Sequence, residues 1–252
     1  DMMVGALTDP FETVHMGITA ENIAAQWKIT REAQDAFAVE SHRRAVAAIE
    51  KGHFKEQILP IELKTRKGVT LFDTDEHPRK DASLEGMAKL RAAFKKDGSV
   101  TAGNASGIND AGSAVVLMDA AAAAKQGLKP LARIVSSGVS GLNPEIMGLG
   151  PIEAIRQALG RAKMTMKDID LVEINEAFAA QVIPSAKHLD IPMDKLNIHG
   201  GAIALGHPFG MTGARIMTTL INGLQHEDKT FGIESMCVGG GQGMAMIIER
   251  LS

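Results

Sequence analysis

Cys237 is the one cysteine in 252 residues, and three consecutive glycines, Gly239, Gly240 and Gly241, follow it after Val238. A strand ending in such a run places backbone N–H groups beside a sulfur, which is the arrangement acyl-transfer chemistry uses. A lone cysteine is by default a small buried hydrophobe. Three glycines in a row favour a loop over a packed core, so the expectation here is a reactive thiol. A second glycine-rich stretch, 200–215, carries His207 followed by Pro208. It is neither a phosphate loop ending in Gly-Lys-Ser/Thr nor a dinucleotide fingerprint. A cysteine and a distant histidine form a recognised pair for thiol chemistry, because a neighbouring imidazole can favour the thiolate. A third stretch, Glu173-Ile174-Asn175-Glu176-Ala177-Phe178, sets a polar pair where a strand passes into a helix. Ligands favour that edge of an α/β sheet; the plainer alternative is that Asn175 caps the helix and Glu176 complements its dipole. One cysteine and scattered histidines show no metal-ligand spacing, so no metal site is expected.

Several elements must hold these segments. Residues 231–238 and 244–250 read as an antiparallel strand pair around the glycine loop. Residues 169–174 read as a strand followed by a helix from Glu176, and 211–224 as a helix after the second glycine turn. Further strands are expected at 113–118 and 131–135. A helix over 119–125 is closed by Gly127, and another over 152–162 is opened by Pro151. The first third is helical and loop-rich. It holds a helix over 19–29 with Thr19 as N-cap, then a longer one capped by Thr30 and ended by Gly52. In the longer helix Ala33, Phe37, Ser41, Ala45 and Ile49 recur every four residues. A short strand near 58–63, a charged loop and a short helix over 87–94 follow. Residues 1–5 read as neither a signal peptide nor a helix start, but as a chain entered midway. Strands alternating with helices indicate an α/β layered architecture.

Composition narrows the function. Hydrophobic residues are 45% and charged residues 23%, and the net charge is −3, which disfavours a general nucleic-acid binder. No apolar run reaches the roughly 20 residues that span a bilayer. Low cysteine use fits a reducing compartment. With no Tyr, one Trp and 14 Met, the core must be aliphatic and rich in alanine and methionine.

The Asn175-Glu176-Ala177-Phe178 block, the Gly206-His207-Pro208 block with its following glycines, and the Cys237 block resemble the C-terminal half of the thiolase family in order and spacing. Two earlier stretches match as well: 15–21, which starts His15-Met16-Gly17, and 101–110, which starts Thr101-Ala102-Gly103-Asn104. The resemblance runs over the whole chain, and the His15-Met16 form is similar to the biosynthetic acetoacetyl-CoA or 3-ketothiolase branch.

The resemblance implies the layered α-β-α-β-α fold of that family. Residues 1–107 would be a loop domain over CoA. Residues 108–129 would be the last strand and helix of an N-terminal core half, and 130–252 the C-terminal core half. It implies Claisen joining or cleavage of acyl-CoA, with acyl-CoA as substrate and no permanently bound cofactor. Cys237 would be the acid/base thiol. His207 and a water held by Asn175 would stabilise the enolate oxygen, and the Gly239 N–H would help hold a tetrahedral oxyanion. Leu7, His15, Met16, Arg79, Phe94, Ala102, Ser106 and Phe178 fall where the family lines its CoA channel, with Arg79 against the adenine. The family's nucleophilic cysteine has no counterpart in these residues, so the 252 residues alone are expected to be inactive and poorly stable. A homotetramer in the cytoplasm is implied, with no nucleic-acid or membrane partner. The alternatives are a degradative, longer-chain 3-ketoacyl-CoA thiolase and a non-catalytic acyl-CoA or lipid-binding relative.

Overall fold

The computed structural model describes residues 2–252. Its first element, α1 (Met2–Ala6), is a short helix where the sequence reads as no helix start. The Leu7 N–H donates to the Met3 carbonyl at 3.1 Å and the Thr8 hydroxyl to the Val4 carbonyl at 2.7 Å, and these bonds close the turn. α2 (Met16–Gln26) begins three residues before the expected 19–29. Its cap is His15, whose Nδ1 accepts the Gly17 N–H at 3.0 Å; Thr19 lies inside the helix and donates to the Met16 carbonyl. α3 (Arg31–Lys51) is capped by Thr30 and ends at Gly52, whose φ of +80° suits a residue without a side chain.

The short strand near 58–63 is displaced to β1 (Ile61–Thr65), because Pro60 offers no N–H to a ladder. The charged loop after it contains a second strand, β2 (Gly68–Phe72), and the two form an exposed antiparallel hairpin. The helix expected over 87–94 is instead α4 (Leu84–Ala88), begun by Ser83, whose hydroxyl oxygen accepts the Gly86 N–H at 3.2 Å. Residues 113–118 are not a strand. An apolar β segment needs a neighbour to pair with, and among the described residues none pairs with this one. Val116 and Leu117 are left 90% and 73% exposed. α5 (Ala120–Lys125) follows its Asp119 cap as expected.

β3 (Ala132–Gly141) runs well past the expected 131–135. Its second half is Ser- and Gly-rich, and it persists because it is paired through Gly141 and because Gly138 lets the next helix approach. A Cβ at Gly138 would run into the Ala154 carbonyl. That helix, α6 (Gly150–Ala162), precedes β4 (Leu171–Ile174). α7 (Ala179–His188) starts three residues later than a helix from Glu176 would. α8 (Ala202–Leu205), α9 (Thr212–His226), β5 (Phe231–Val238) and β6 (Gln242–Arg250) complete the chain.

The four long strands form one mixed sheet in the order β3-β6-β5-β4, with β4 and β5 parallel and the other pairs antiparallel. Successive side chains alternate between its faces. Ile233, Ile247 and Val172 meet α6 and α7 in the main core. Gly232, Leu171 and Ile248 meet Leu220 and Leu224 of α9 on the other side. Each fully buried side chain of this size contributes about 2 kcal/mol of apolar burial. The result is an α/β layer arrangement that puts Cys237 at the β5 end, Asn175 just beyond β4 and His207 just before α9. No helix among the described residues is long and apolar enough to cross a membrane.

Candidate active site

Cys237 is the last residue but one of β5, and alternation turns it away from α9, towards α2 and the 177–178 segment. It is 6% exposed. It packs with Met16, Ala105, Ala177 and Phe178, with Leu7 and Phe94 on the edge of the same apolar cluster. The expectation that the glycines keep this thiol out of a packed environment is therefore wrong. The glycines lie beyond it: Gly239 is exposed, and Gly240 and Gly241 turn the chain at φ near +82° and +83°. The sulfur belongs to the strand, and distant parts of the chain cover it. Burial pushes the Cys237 thiol up to about 11, so at neutral pH it rests as S–H and not as a thiolate. A thiol in that state has a proton to give.

His207 is half-buried, and burial, helped by the charge of Arg215, lowers its pKa to about 4. The ring is therefore neutral at pH 7, and its tautomer follows from its neighbours. The Thr212 hydroxyl donates its one proton to the Pro208 carbonyl at 2.9 Å, so His207 Nδ1–H must donate to Thr212 Oγ1, at 2.6 Å. His207 Nε2 then carries the lone pair, and it accepts from Asn175 Nδ2 at 3.3 Å. Asn175 Oδ1 is buried and has no hydrogen-bond partner among the described residues. A neutral base whose Nε2 lone pair meets only a long hydrogen bond from an amide can take a proton from a thiol and then donate it to an oxyanion.

Thr212 is a residue the sequence reading did not select. It holds the His207 ring through Nδ1. In the complete protein Thr212→Val is expected to lower kcat about tenfold, the worth of one neutral hydrogen bond, with little change in KM. Thr212→Ser should restore the rate, and a Val variant as fast as the parent would show that the Nδ1 contact does not set the tautomer.

The backbone around these groups is held by a buried carboxylate. Glu176 accepts from the Ser41 hydroxyl at 2.6 Å, from Asn197 Nδ2 at 2.8 Å and from the Ile203 N–H at 3.2 Å. It thus joins α3, the loop after β4 and the stretch leading to His207. A Cβ at Gly201 would collide with the Glu176 side chain, which explains one glycine of that run. The capping alternative for Asn175 and Glu176 fails, because the helix begins only at Ala179. There the Ala179 N–H donates to the Asn104 carbonyl at 2.9 Å. Asn104 in turn is fixed by Asp35 at 2.9 Å, and buried Glu21 holds the Ser99 and Val100 N–H groups.

The residues expected to line the CoA channel divide into two groups. Leu7, Met16, Phe94 and Phe178 share the cluster around Cys237. His15 stacks on Phe94 at 4.8 Å, and Phe94 meets Phe178 edge-on at 6.0 Å. The Ser106 N–H donates to the Ala177 carbonyl at 3.0 Å. Gly239 lies over Met16, whose Cε would be 3.4 Å from a Cβ placed there. Arg79 and Ala102 are not brought into this group. Ala102 is exposed, and Arg79 is exposed and paired with Asp81 at 3.4 Å.

Behind His207, the guanidinium of Arg215 is buried, its terminal nitrogens have no hydrogen-bond partner among the described residues, and the charges of Glu173, Glu176, Asp75 and Glu234 act on it. Burial pushes Glu173 and Glu234 up to about 8 each, against the pull of Arg215.

Comparison with known proteins gives the same picture over nearly the whole chain. The family model described as thiolase, N-terminal domain, matches residues 1–121, and that described as thiolase, C-terminal domain, matches 128–250. The beta-ketothiolase BktB of Cupriavidus necator is 52% identical over 252 residues, which is 100% of this chain and 64% of that protein. The crystal structure of the Bacillus anthracis acetyl-CoA acetyltransferase superposes with a TM-score of 0.96 at 50% identity, again over 100% of this chain and 64% of that one. The human mitochondrial 3-ketoacyl-CoA thiolase in complex with CoA gives a TM-score of 0.93 at 43% identity, over 100% of this chain and 63% of that one. The chain thus spans about 64% of the length of the curated relatives it matches.

Proposed function

This chain belongs to the thiolase family, and from that premise we propose that the complete protein is an acetyl-CoA acetyltransferase or beta-ketothiolase, making or thiolytically cleaving short 3-ketoacyl-CoA. The observation that carries this reading is the neutral His207 ring, with Nδ1–H held by Thr212 and Nε2 beside the Asn175 amide. Relatives at 52% and 54% identity are named beta-ketothiolase and acetyl-CoA acetyltransferase, which supports this reading.

The reaction needs two thiols, and these residues contain one. We assign the acyl-carrying nucleophile to polypeptide outside these 252 residues and the acid/base role to Cys237. In cleavage, His207 Nε2 takes the nucleophile's proton, and the thiolate adds to the 3-keto carbon. The Gly239 N–H supports the resulting oxyanion. The bond between the 2- and 3-carbons breaks, and its electron pair forms the enolate of acetyl-CoA. Its oxygen is stabilised by His207 and by a water held on Asn175. Cys237 S–H protonates the enolate carbon and becomes a thiolate. CoA then gives its S–H proton to Cys237 and attacks the acyl group. The nucleophile leaves and recovers its proton from His207. Condensation is the same path reversed, with the Cys237 thiolate removing the proton next to the thioester.

Leu7, Met16, Phe94 and Phe178 shelter this chemistry from water, which strengthens each charge interaction within it. The exposed apolar 113–118 segment supports the view that the complete core includes a neighbouring strand for it. We propose a homotetramer as the assembly.

Assaying the complete protein for CoA-dependent cleavage of 3-ketoacyl-CoA of increasing length tests the reading. Acetoacetyl-CoA should be cleaved, turnover should fall as the chain lengthens, and His207→Ala should lose about 10²–10⁴ in rate. Faster cleavage of long chains would favour the degradative enzyme, and no cleavage at any length would leave an acyl-CoA-binding protein.

A further inference from the structure

Three histidines from distant parts of the chain meet at the far end of α9. His53 follows the end of α3, His199 lies in the loop between α7 and α8, and His226 is the last residue of α9. Their ligand nitrogens all lie within 4.8 Å of one another. His53 Nδ1 and His199 Nε2 are 2.8 Å apart, and the His53 and His226 rings are centred 4.5 Å apart. His199 is 4% exposed, and its Nδ1 is buried without a partner among the described residues. Beside the trio is an open cavity of about 460 Å³ lined by His53, His199, Lys51 and Glu227. None of the residues assigned to acyl transfer lines it.

We propose that His53, His199 and His226 bind one divalent transition-metal ion of the zinc class, at a site separate from the acyl-transfer centre. Imidazole suits such ions, and three nitrogens with a water complete a tetrahedron. Burial holds His53 below the ordinary histidine value and His199 at about 4, so both present neutral rings at pH 7. Nitrogens on zinc sit about 3.4 Å apart, from bond lengths of about 2.0–2.1 Å in tetrahedral geometry. The His53–His199 pair has only to open slightly, and the exposed His226 side chain can swing in to complete the set. The hydrogen that His53 Nδ1 and His199 Nε2 share passes to the far nitrogen of its own ring, so no net proton is released. Glu227 offsets the charge of the ion, and Lys51 opposes it. A bound ion would clip together the ends of α3 and α9 and the loop that leads through Gly200 towards His207.

The test uses the complete protein with its cysteines alkylated, so that thiols do not compete for metal. Zn²⁺ is titrated against a chromophoric chelator, and the melting temperature is followed in parallel. One Zn²⁺ per chain is expected, with a rise in melting temperature that Mg²⁺ does not reproduce. His226→Ala, which removes an exposed ring, and His53→Gln should each weaken binding at least tenfold and remove the thermal shift. Absence of stoichiometric uptake would overturn the proposal and leave a hydrogen-bonded histidine pair. Equal uptake and equal thermal shift in the parent and both variants would also overturn it, by placing the ion elsewhere.

Discussion

Cys237→Ala in the complete protein is expected to reduce turnover in both directions by about 10³, the scale of a lost general acid/base in carbon–proton transfer. In the proposed reaction the sulfur exchanges a proton with the substrate carbon. Its pKa near 11 makes it a thiol at rest, and a thiolate only after it has delivered that proton. Packing does not explain a loss of this size. Cys237 is a small side chain in a cluster of Met, Ala and Phe, and its truncation should cost about 1 kcal/mol of stability. Cys237→Ser keeps the volume but not the acidity, and should be as slow as the alanine variant. Urea denaturation of the same proteins separates the two effects: a variant that keeps its stability and loses its rate has lost chemistry. A Cys237→Ser enzyme with near-parental turnover would assign the residue to packing.

The second large effect is on stability. Arg215→Met should destabilise the complete protein by about 1–3 kcal/mol at pH 9, where the buried carboxyls would ionise without the guanidinium that acts on them. The guanidinium is the cation among Glu173, Glu176 and Glu234, all three of which burial pushes upwards. The sign of the pH dependence follows. A carboxyl whose folded pKa is raised to about 8 favours the folded state fully below its unfolded value near 4.5, and that advantage disappears as pH rises through 8. Removing Arg215 raises those folded values further. The penalty of Arg215→Met should therefore be clear at pH 9, where the parent carboxyls are ionised, and vanish towards pH 5, where they hold their protons with or without it. Urea midpoints at the two pH values measure this. An equal penalty at both would make Arg215 a packing residue. Losing Arg215 also removes one of the two influences that depress His207, so the residual activity should lose its low-pH limb at a higher pH than the parent.

What could be read in the sequence follows a physical division. The β5–β6 pair, α3 with its Thr30 cap and Gly52 stop, and the glycine turn before α9 depend on local chemistry, and each forms where the residues indicate. Residues 113–118 depend on a neighbour; their β-branched and apolar character is real, but no described residue completes the ladder. The start of α7 departs from the sequence expectation for a similar reason. Asn175 and Glu176 look like a cap, but Ser41 and Asn197 draw the Glu176 carboxylate into the core, and Asn104 takes the Ala179 N–H three residues later. Cys237, His207 and Asn175 stood out by residue type and by the glycines beside two of them. The burial of Cys237 did not, since α2 and Phe178 create it from far along the chain. Thr212 looks like an ordinary threonine at a helix start, although its place five residues after His207, with the turn at Pro208 between them, is the signal that could reveal it. The histidine trio joins residues up to 146 apart in sequence before His226 is added, and no local spacing announces it.

The most direct test of the central claim, that Cys237 moves the proton on the carbon next to the thioester, follows that proton. The complete protein is incubated with acetyl-CoA in D₂O, and deuterium entering the acetyl methyl group is measured by mass spectrometry. The parent should incorporate deuterium, and Cys237→Ala, with His207 and Asn175 intact, should do so about 10³ times more slowly. Exchange at the parental rate in Cys237→Ala would contradict the assignment and give the proton to another base.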